Sequence, residues 1–256
     1  MLKPGPIRPA AARACEMGSG GWVNSGRVAM IGEPVALTVR RSVVRPGARL
    51  LGAFRGAPTG FVTDAYNGAG CLEHTIKPLA PEMACCGPAL TAKCAPGDIL
   101  AAMAILDYAR KGDVIVIASG GDLSAAKIGD LWLHWARRIG VAGVVCDGLV
   151  RDVKGLLAAR VPVFARGVTP NSGFKTGPGE INSEVACGGV AIRPGDIVVG
   201  DRDGVVAVPL PQAEAVAAQL KLVREKEAEA ERKLKRGTKL GFWSPAALGG
   251  RLRIED

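Results

Sequence analysis

Residues 129–152 constrain this chain more than any other stretch. A helix-like segment begins at Gly129-Asp130-Leu131-Trp132, runs to Arg138 and leads into the apolar run 141–145, which ends in Cys146-Asp147-Gly148-Leu149-Val150-Arg151-Asp152. A short apolar run bounded by turn residues reads as a strand buried on both faces. The Arg-Asp pair then falls at that strand's exit, close to a helix start whose backbone N–H groups have no intrahelical partners. Open α/β sheets bind ligands at such a place. A guanidinium beside a carboxylate can hold an anionic substrate and a metal together.

The same alternation extends over much of the chain. Residues 50–54 read as a short amphipathic helix, residues 56–59 as a turn, and a further helix is expected with its start capped near Thr63-Asp64. Residues 87–94 read as a strand, 98–109 as a helix with apolar positions three and four apart, and 114–118 as a buried strand. After the 129–138 helix and the 141–146 strand come a short helix at 153–159 and a strand at 162–164. Alternating elements of this kind predict an α/β domain with partly parallel pairing.

The following third differs. Residues 185–191, 197–199 and 205–208 are β-branched runs separated by Gly and Asp turns, which predicts an all-strand layer. Pro96-Gly97-Asp98-Ile99 and Pro194-Gly195-Asp196-Ile197 echo one another and read as two Asp-bearing turns, not as a duplicated domain. Residues 211–236 form a long Glu/Lys-rich helix with few large apolar side chains, too polar to be core, so it is expected on a neighbour or in solvent.

A net charge of +9 raises nucleic acid as a partner, and its location argues against one. Residues 1–56 carry nine Lys/Arg against two acids and residues 221–256 carry ten against six, whereas residues 57–220 carry fourteen against sixteen. The basicity sits at the ends, only 4% of residues are aromatic, and no RNA-binding signature is present. Seven cysteines, with no CxxC and no close histidine, indicate neither a zinc site nor a disulfide framework, and read as small apolar residues. No apolar stretch approaches the roughly 20 residues of a membrane span, and no secretory signal is evident; the expected location is the cytoplasm. Residues 1–47, rich in Pro, Gly, Ala and Arg without a clear period, are expected to be a mobile extension, residues 48–236 the folded domain, and residues 237–256 a tail.

Many short motifs in one order sharpen this reading: Pro58-Thr59 with Thr63-Asp64, Gly87-Pro88-Ala89-Leu90-Thr91, Pro96-Gly97-Asp98, Gly112-Asp113-Val114, Gly129-Asp130, the run 140–152, Pro162-Val163-Phe164-Ala165-Arg166-Gly167, and Gly195-Asp196 through Asp203-Gly204-Val205. Over residues 48–236 the chain resembles the RraA-like proteins, which include the 4-hydroxy-4-methyl-2-oxoglutarate/4-carboxy-4-hydroxy-2-oxoadipate aldolases and the regulator of ribonuclease E activity A. The resemblance implies an α/β fold of the swivelling β/β/α type followed by a C-terminal helix. It further implies homo-oligomers, a trimer or a dimer of trimers, with active sites between subunits.

The chemistry implied is a divalent-metal-dependent lyase. It cleaves 4-hydroxy-2-oxo acids to pyruvate and a second oxo acid, and decarboxylates oxaloacetate through the same pyruvate enolate. Stabilising that developing charge is the central demand. Asp152 is the expected metal ligand, for Mg²⁺ or Mn²⁺, since hard cations take carboxylate and water oxygens. Arg151, permanently charged with a planar fork of donors, suits the keto oxygen as it becomes an enolate. Gly129, Asp130, Leu131 and Trp132 would supply backbone N–H donors to the substrate carboxylate, Asp130 being open to a contact with metal-bound water or to a role at the helix dipole alone. The resemblance assigns the same roles at matching positions. The alternative it carries is a non-enzymatic regulator that binds a ribonuclease or RNA helicase.

Two departures from the family pattern stand out. Many members carry an acid three positions after the Asp of the pair, and this chain has Gly155 there. Asp130, Asp147 or a carboxylate of a neighbouring chain's C-terminal helix, Glu225 or Glu227, are the candidates to replace it. Trp132 is large where smaller residues are common, and is expected to alter the pocket wall. His74 and His134, the only histidines, sit in no triad or metal pattern. Lys127, in a polar loop, and Lys175, among glycines, do not read as Schiff-base lysines. Gly177-Pro178-Gly179 lacks the ending of a phosphate loop and reads as a turn near Glu180 and Asn182.

Overall fold

The computed structural model describes residues 35–238, 241, 244–248 and 250–255. In chain order they form β1 (Leu37–Val39), α1 (Ala48–Phe54), α2 (Thr59–Ala65), β2 (Lys77–Pro78), β3 (Cys85–Cys94) and α3 (Leu100–Ala104). β4 (Val114–Ala118), α4 (Asp130–Ile139), β5 (Gly143–Cys146), β6 (Leu149–Val150), α5 (Val153–Ala159), β7 (Val163–Ala165) and β8 (Gly167–Val168) follow. The last third holds β9 (Gly179–Ile181), β10 (Val185–Cys187), β11 (Val190–Ile192), β12 (Ile197–Asp201), β13 (Gly204–Val208) and the long α6 (Ala213–Lys235).

The main sheet runs β1-β9-β3-β4-β5-β7-β2, with β12 and β13 joined through β3. Pairings β3–β4, β4–β5 and β5–β7 are parallel, as expected for strands that alternate with helices. β3 serves two neighbourhoods: residues 85–88 pair antiparallel with β12, and residues 89–93 pair parallel with β4.

Strand periodicity sorts the core into layers. In β4, Ile115 and Ile117 pack with α3, α4 and α5, whereas Val114, Val116 and Ala118 pack with residues of β10–β13. In the β12–β13 hairpin, Val198, Val205 and Ala207 face that shared interior, while Ile197, Val199, Val206 and Val208 pack under α1, α2 and α6. Two β layers therefore lie between two helical ones, because successive side chains leave a strand on opposite faces. Fully buried Leu133 and nearly buried Trp132 anchor α4 to the main sheet, burial contributing roughly 2 to 3 kcal/mol for each side chain of this size. α6 buries only Ala213, Val216 and Leu220; its distal turns are largely exposed, in line with their polar composition.

The structure corrects several expectations. The ordered domain takes in residues before 48: β1 pairs with β9, and Arg45 makes a bidentate ion pair with buried Asp113 at 2.8 and 2.9 Å. The expectation for residues 1–34 lies outside the described residues. α2 starts at Thr59, not near Thr63-Asp64, because the Asp201 carboxylate accepts from both the N–H and the hydroxyl of Thr59, a cap supplied from the end of β12. The 98–109 helix is shorter, α3 plus a 3₁₀ turn at residues 105–107. Gly179, expected in a turn with Gly177 and Pro178, opens β9, whose ladder partners β1 and β3 lie far away in sequence. Among the described residues no helix is long and apolar enough to cross a membrane.

Candidate active site

β5 delivers the chain to the site. After Cys146 it turns through Asp147 and Gly148, passes along β6 and presents Arg151 and Asp152 at the start of α5. The amide of Lys127 donates to Leu149 O and that of Arg151 to Ile128 O, so the segment entering α4 lies alongside β6. Asp152 has φ 62° and ψ 45°, the left-handed region that Asp tolerates better than most residues. A non-glycine residue held there carries a local cost that the surrounding fold must sustain. Its carboxylate does not cap α5. Oδ2 lies 3.2 Å from Arg151 Nε, and both side chains are about two-fifths exposed, 42% and 41%. An ion pair that open contributes little stability.

Two glycines show how tightly the groups around it are set. A Cβ on Gly129 would stand 2.5 Å from Asp152 Oδ2 and 3.2 Å from Arg151 Nε. Only the absence of a side chain lets that carboxylate lie against the N-terminus of α4. A Cβ on Gly155 would stand 2.4 Å from Asp130 Cβ and 2.5 Å from its Oδ2. The acid expected at 155 is missing, yet the space is filled by the carboxyl group of Asp130. Of the candidate replacements, Asp130 lies in the site. Asp147 is buried elsewhere, accepting from the Ser119 N–H at 2.6 Å and hydroxyl at 2.9 Å, and Glu225 and Glu227 lie on the exposed part of α6.

The backbone cradle is narrower than expected. Asp130 Oδ1 takes the N–H of Leu131 at 2.7 Å, leaving the amides of Gly129, Asp130 and Trp132 without a partner among the described residues. The Leu131 side chain is 83% exposed. Trp132 is chiefly a core residue, 7% exposed, with its indole N–H donated to Ala102 O at 2.7 Å; part of it nevertheless lines the cavity.

That cavity measures about 280 Å³. Gly129, Asp130, Arg151 and Asp152 line it together with Ile99, Met103, Ser172 and Lys175. A larger cleft of about 520 Å³, bordered by Lys93, Ser119, Glu180 and Glu184, contains neither Arg151 nor Asp152. Volume does not choose the site here; the grouping of a guanidinium, two carboxylates and a helix start does.

Beside the cavity lies a buried polar knot that sequence reasoning missed. Lys127, expected in a polar loop, is fully buried; its ammonium donates to Asp122 Oδ2 at 2.7 Å and to Asp98 O at 3.2 Å. It is desolvated, but committed to an ion pair. Burial raises the pKa of Asp122, and this is outweighed by the Lys127 ammonium and the N–H groups of Gly97 and Ser124, which hold the carboxyl well below the usual range. For Asp98 burial again works upward and is outweighed, by the N–H groups of Leu100, Gly177 and Thr176, so its pKa is also lowered. The only signal in the sequence was turn chemistry around Gly97-Asp98 and Gly121-Asp122, which says nothing of a lysine reaching both. His74 and His134 are exposed and do not line the cavity. Burial pushes the Cys85 and Cys146 thiols up to about 12, consistent with inert core residues.

Fold and site together define an α/β protein with a pocket at a helix start lined by a guanidinium and two carboxylates. A family model described as RraA-like, Aldolase/RraA, matches residues 59–207, and the chain belongs to that family. A protein of Halalkalibacterium halodurans named "Putative 4-hydroxy-4-methyl-2-oxoglutarate aldolase" is 44% identical over 181 residues, 71% of this chain and 86% of the relative. The structure of RraAS2 from Streptomyces coelicolor, described as an unusual member of the RNase ES inhibitor RraA protein family, superposes with TM-score 0.66 at 27% identity, covering 75% of this chain and 99% of that one. The RNA-processing inhibitor RraA from Thermus thermophilis gives TM-score 0.56 at 28% identity, covering 60% and 93%. The fold is thus the mixed α/β fold of the RraA-like proteins, with a long C-terminal helix.

Proposed function

We propose that this protein is a divalent-metal-dependent lyase that releases pyruvate from 4-hydroxy-2-oxo acids of the 4-hydroxy-4-methyl-2-oxoglutarate type and decarboxylates oxaloacetate at the same site. The observation that carries the reading is the placement of the Asp152 carboxylate and the Arg151 guanidinium against side-chain-free Gly129 at the start of α4. The 44% identical aldolase-named relative supports it.

The donor set fits a hard cation. No group of three or more His, Cys, Asp or Glu gathers among the described residues, so a zinc-type cage is not what the side chains offer. One or two carboxylates plus water and substrate oxygens suit Mg²⁺ or Mn²⁺, with Asp152 as the ligand and Asp130 Oδ2, over Gly155, able to hold water beside it. Such an ion, when bound, would polarise the substrate keto oxygen as a Lewis acid.

This chain's own residues do the rest. The amides of Asp130 and Trp132, at the positive end of α4, bind the substrate carboxylate. Arg151 orients the keto oxygen and stabilises the negative charge that gathers there as the C3–C4 bond breaks. In the aldol cleavage the C4 hydroxyl gives up its proton, C4 leaves as a carbonyl and the electron pair passes into the enolate; in oxaloacetate the departing group is CO₂. Protonation at C3 then gives pyruvate in both reactions. The active assembly in this reading is a homotrimer or a dimer of trimers in which a neighbouring chain's Glu225 or Glu227 borders the site.

Pyruvate formation from 4-hydroxy-4-methyl-2-oxoglutarate and from oxaloacetate, with Mg²⁺ and after EDTA treatment, tests the proposal. Turnover is expected to vanish with EDTA and to be abolished by Asp152→Ala, while Arg151→Ala weakens both binding and rate. Full activity of the Asp152 variant would sink the assignment. A wild-type protein inactive on both acids but retaining a ribonuclease in stoichiometric amount would favour the regulatory role named for the RraA relatives.

A further inference from the structure

The loop of residues 169–178, which joins β8 to β9, carries two residues of the cavity wall, Ser172 and Lys175. Although exposed, the loop is fastened along its length. The amide of Ala126 donates to Asn171 O at 3.1 Å, and the Asn171 side-chain amide donates to Ser124 O at 2.6 Å. Phe174 exchanges backbone hydrogen bonds with the 97–99 turn, from Phe174 N to Gly97 O at 2.8 Å and from Ile99 N to Phe174 O at 2.7 Å. Next to it Asp98, 3% exposed, accepts from the N–H groups of Thr176 and Gly177 at 2.7 and 2.8 Å and from the Thr176 hydroxyl at 3.3 Å. Lys175 therefore stands between two anchored residues. Its stem leaves a fixed backbone while its ammonium keeps the freedom of an exposed lysine.

Once the ion pairs are set aside, one carboxylate, Asp130, and one cation, Lys175, remain on the cavity wall. Lys127 is paired with Asp122, and Arg151 with Asp152. Asp130 accepts from Leu131 N–H and faces Gly155. Lys175 has no hydrogen-bonding or ion-pair partner among the described residues. With Ile99 and Met103, it offers a cation beside apolar side chains on the same cavity. This suits a short carbon chain ending in a second anionic group.

We propose that Lys175 is a specificity-determining residue that reads a second carboxylate on the substrate, distal to the 2-oxo acid head, so that the site prefers dianionic over monoanionic 2-oxo acids. This rests on the proposed function for where the head binds, and it assigns the distal contact to one side chain. A lysine acts there as a mobile point charge, tolerant of where along the chain the second carboxylate sits.

The test is equilibrium binding by calorimetry on the full chain with Mg²⁺, using two acids with the same five-carbon skeleton, dianionic 2-oxoglutarate and monoanionic 2-oxopentanoate. The wild type should bind the dianion about fivefold to tenfold more tightly, the range for one partly exposed charge-assisted contact. Lys175→Gln should bring the ratio of affinities near one, and Lys175→Arg should restore most of it. Equal affinities in the wild type, an unchanged ratio in the Gln variant, or no binding of either acid would overturn the proposal. Pyruvate release by a wild type whose ratio is one would leave the lyase standing without this role for Lys175. A clear ratio that depends on Lys175 in a protein releasing no pyruvate would do the reverse.

Discussion

Replacing Gly129 by Ala adds one methyl group at a crowded point of the site. That methyl would begin 2.5 Å from Asp152 Oδ2 and 3.2 Å from Arg151 Nε, against an ordinary van der Waals separation of about 3.4 Å or more. The carboxylate must retreat by about 1 Å. Because Asp152 sits in a left-handed backbone conformation at the start of α5, the retreat has to come from side-chain rotation, which turns the proposed ligand oxygen out of line. A misplacement of about 1 Å in a catalytic constellation costs on the order of 100-fold in rate, or about 2.7 kcal/mol of transition-state stabilisation. The fold should register the change only modestly: Gly129 has φ −133° and ψ −172°, extended backbone open to alanine, and Ala in place of a better N-cap residue costs up to about 1 kcal/mol. We therefore expect kcat/KM for pyruvate release to fall about 100-fold and Mn²⁺ affinity measured by calorimetry to weaken, with Tm within about 4 °C of wild type. A variant within threefold of wild-type kcat/KM, with unchanged Mn²⁺ affinity, would refute the placement of the metal ligand at Asp152.

Further expectations concern the buried knot and the thiols. Asp122→Asn leaves the Lys127 ammonium buried without its anion and should cost about 3 kcal/mol, lowering Tm by roughly 10 °C; the Asp122→Leu, Lys127→Met pair should recover most of that loss, and failure to do so would mean the charges themselves hold the 97–99 turn. The Asp122 carboxyl has a lower pKa folded than unfolded, so its contribution is present above the ordinary carboxylate pKa of about 3.9 and fades as pH falls below it toward the folded-state value. Urea titrations between pH 2 and 6 should show a shallower acid limb for Asp122→Asn than for wild type. Among the described cysteines, exposed Cys71 should be alkylated by iodoacetamide in the native protein while Cys85 and Cys146 resist until denaturant is added. Peptide mapping that finds Cys146 labelled as fast as Cys71 would contradict a closed core.

What the sequence determined by itself is whatever local pattern can encode. Apolar runs such as 114–118, together with the 3.6-residue spacing of α4, announced alternating strands and helices, since burial of a strand or of a helix face leaves a periodic trace in neighbouring residues. Arg151-Asp152 and Gly129-Asp130 were legible because the ordered motifs around them mark the family. Tertiary structure alone decided the rest. β9 was missed, its first residue Gly179 being read in a turn, because its partners in the ladder lie far away in sequence, and α2 was started late because its cap comes from Asp201. Lys127 seemed to sit in a polar loop, since nothing near it in sequence reveals that Asp98 and Asp122 close over its ammonium. For the acid missing at Gly155 the sequence offered four replacements, and only the fold singled out Asp130 by setting it in the vacated space. Such compensation runs between residues distant in the chain and adjacent in space, and a close approach of this kind leaves no periodic signal to read.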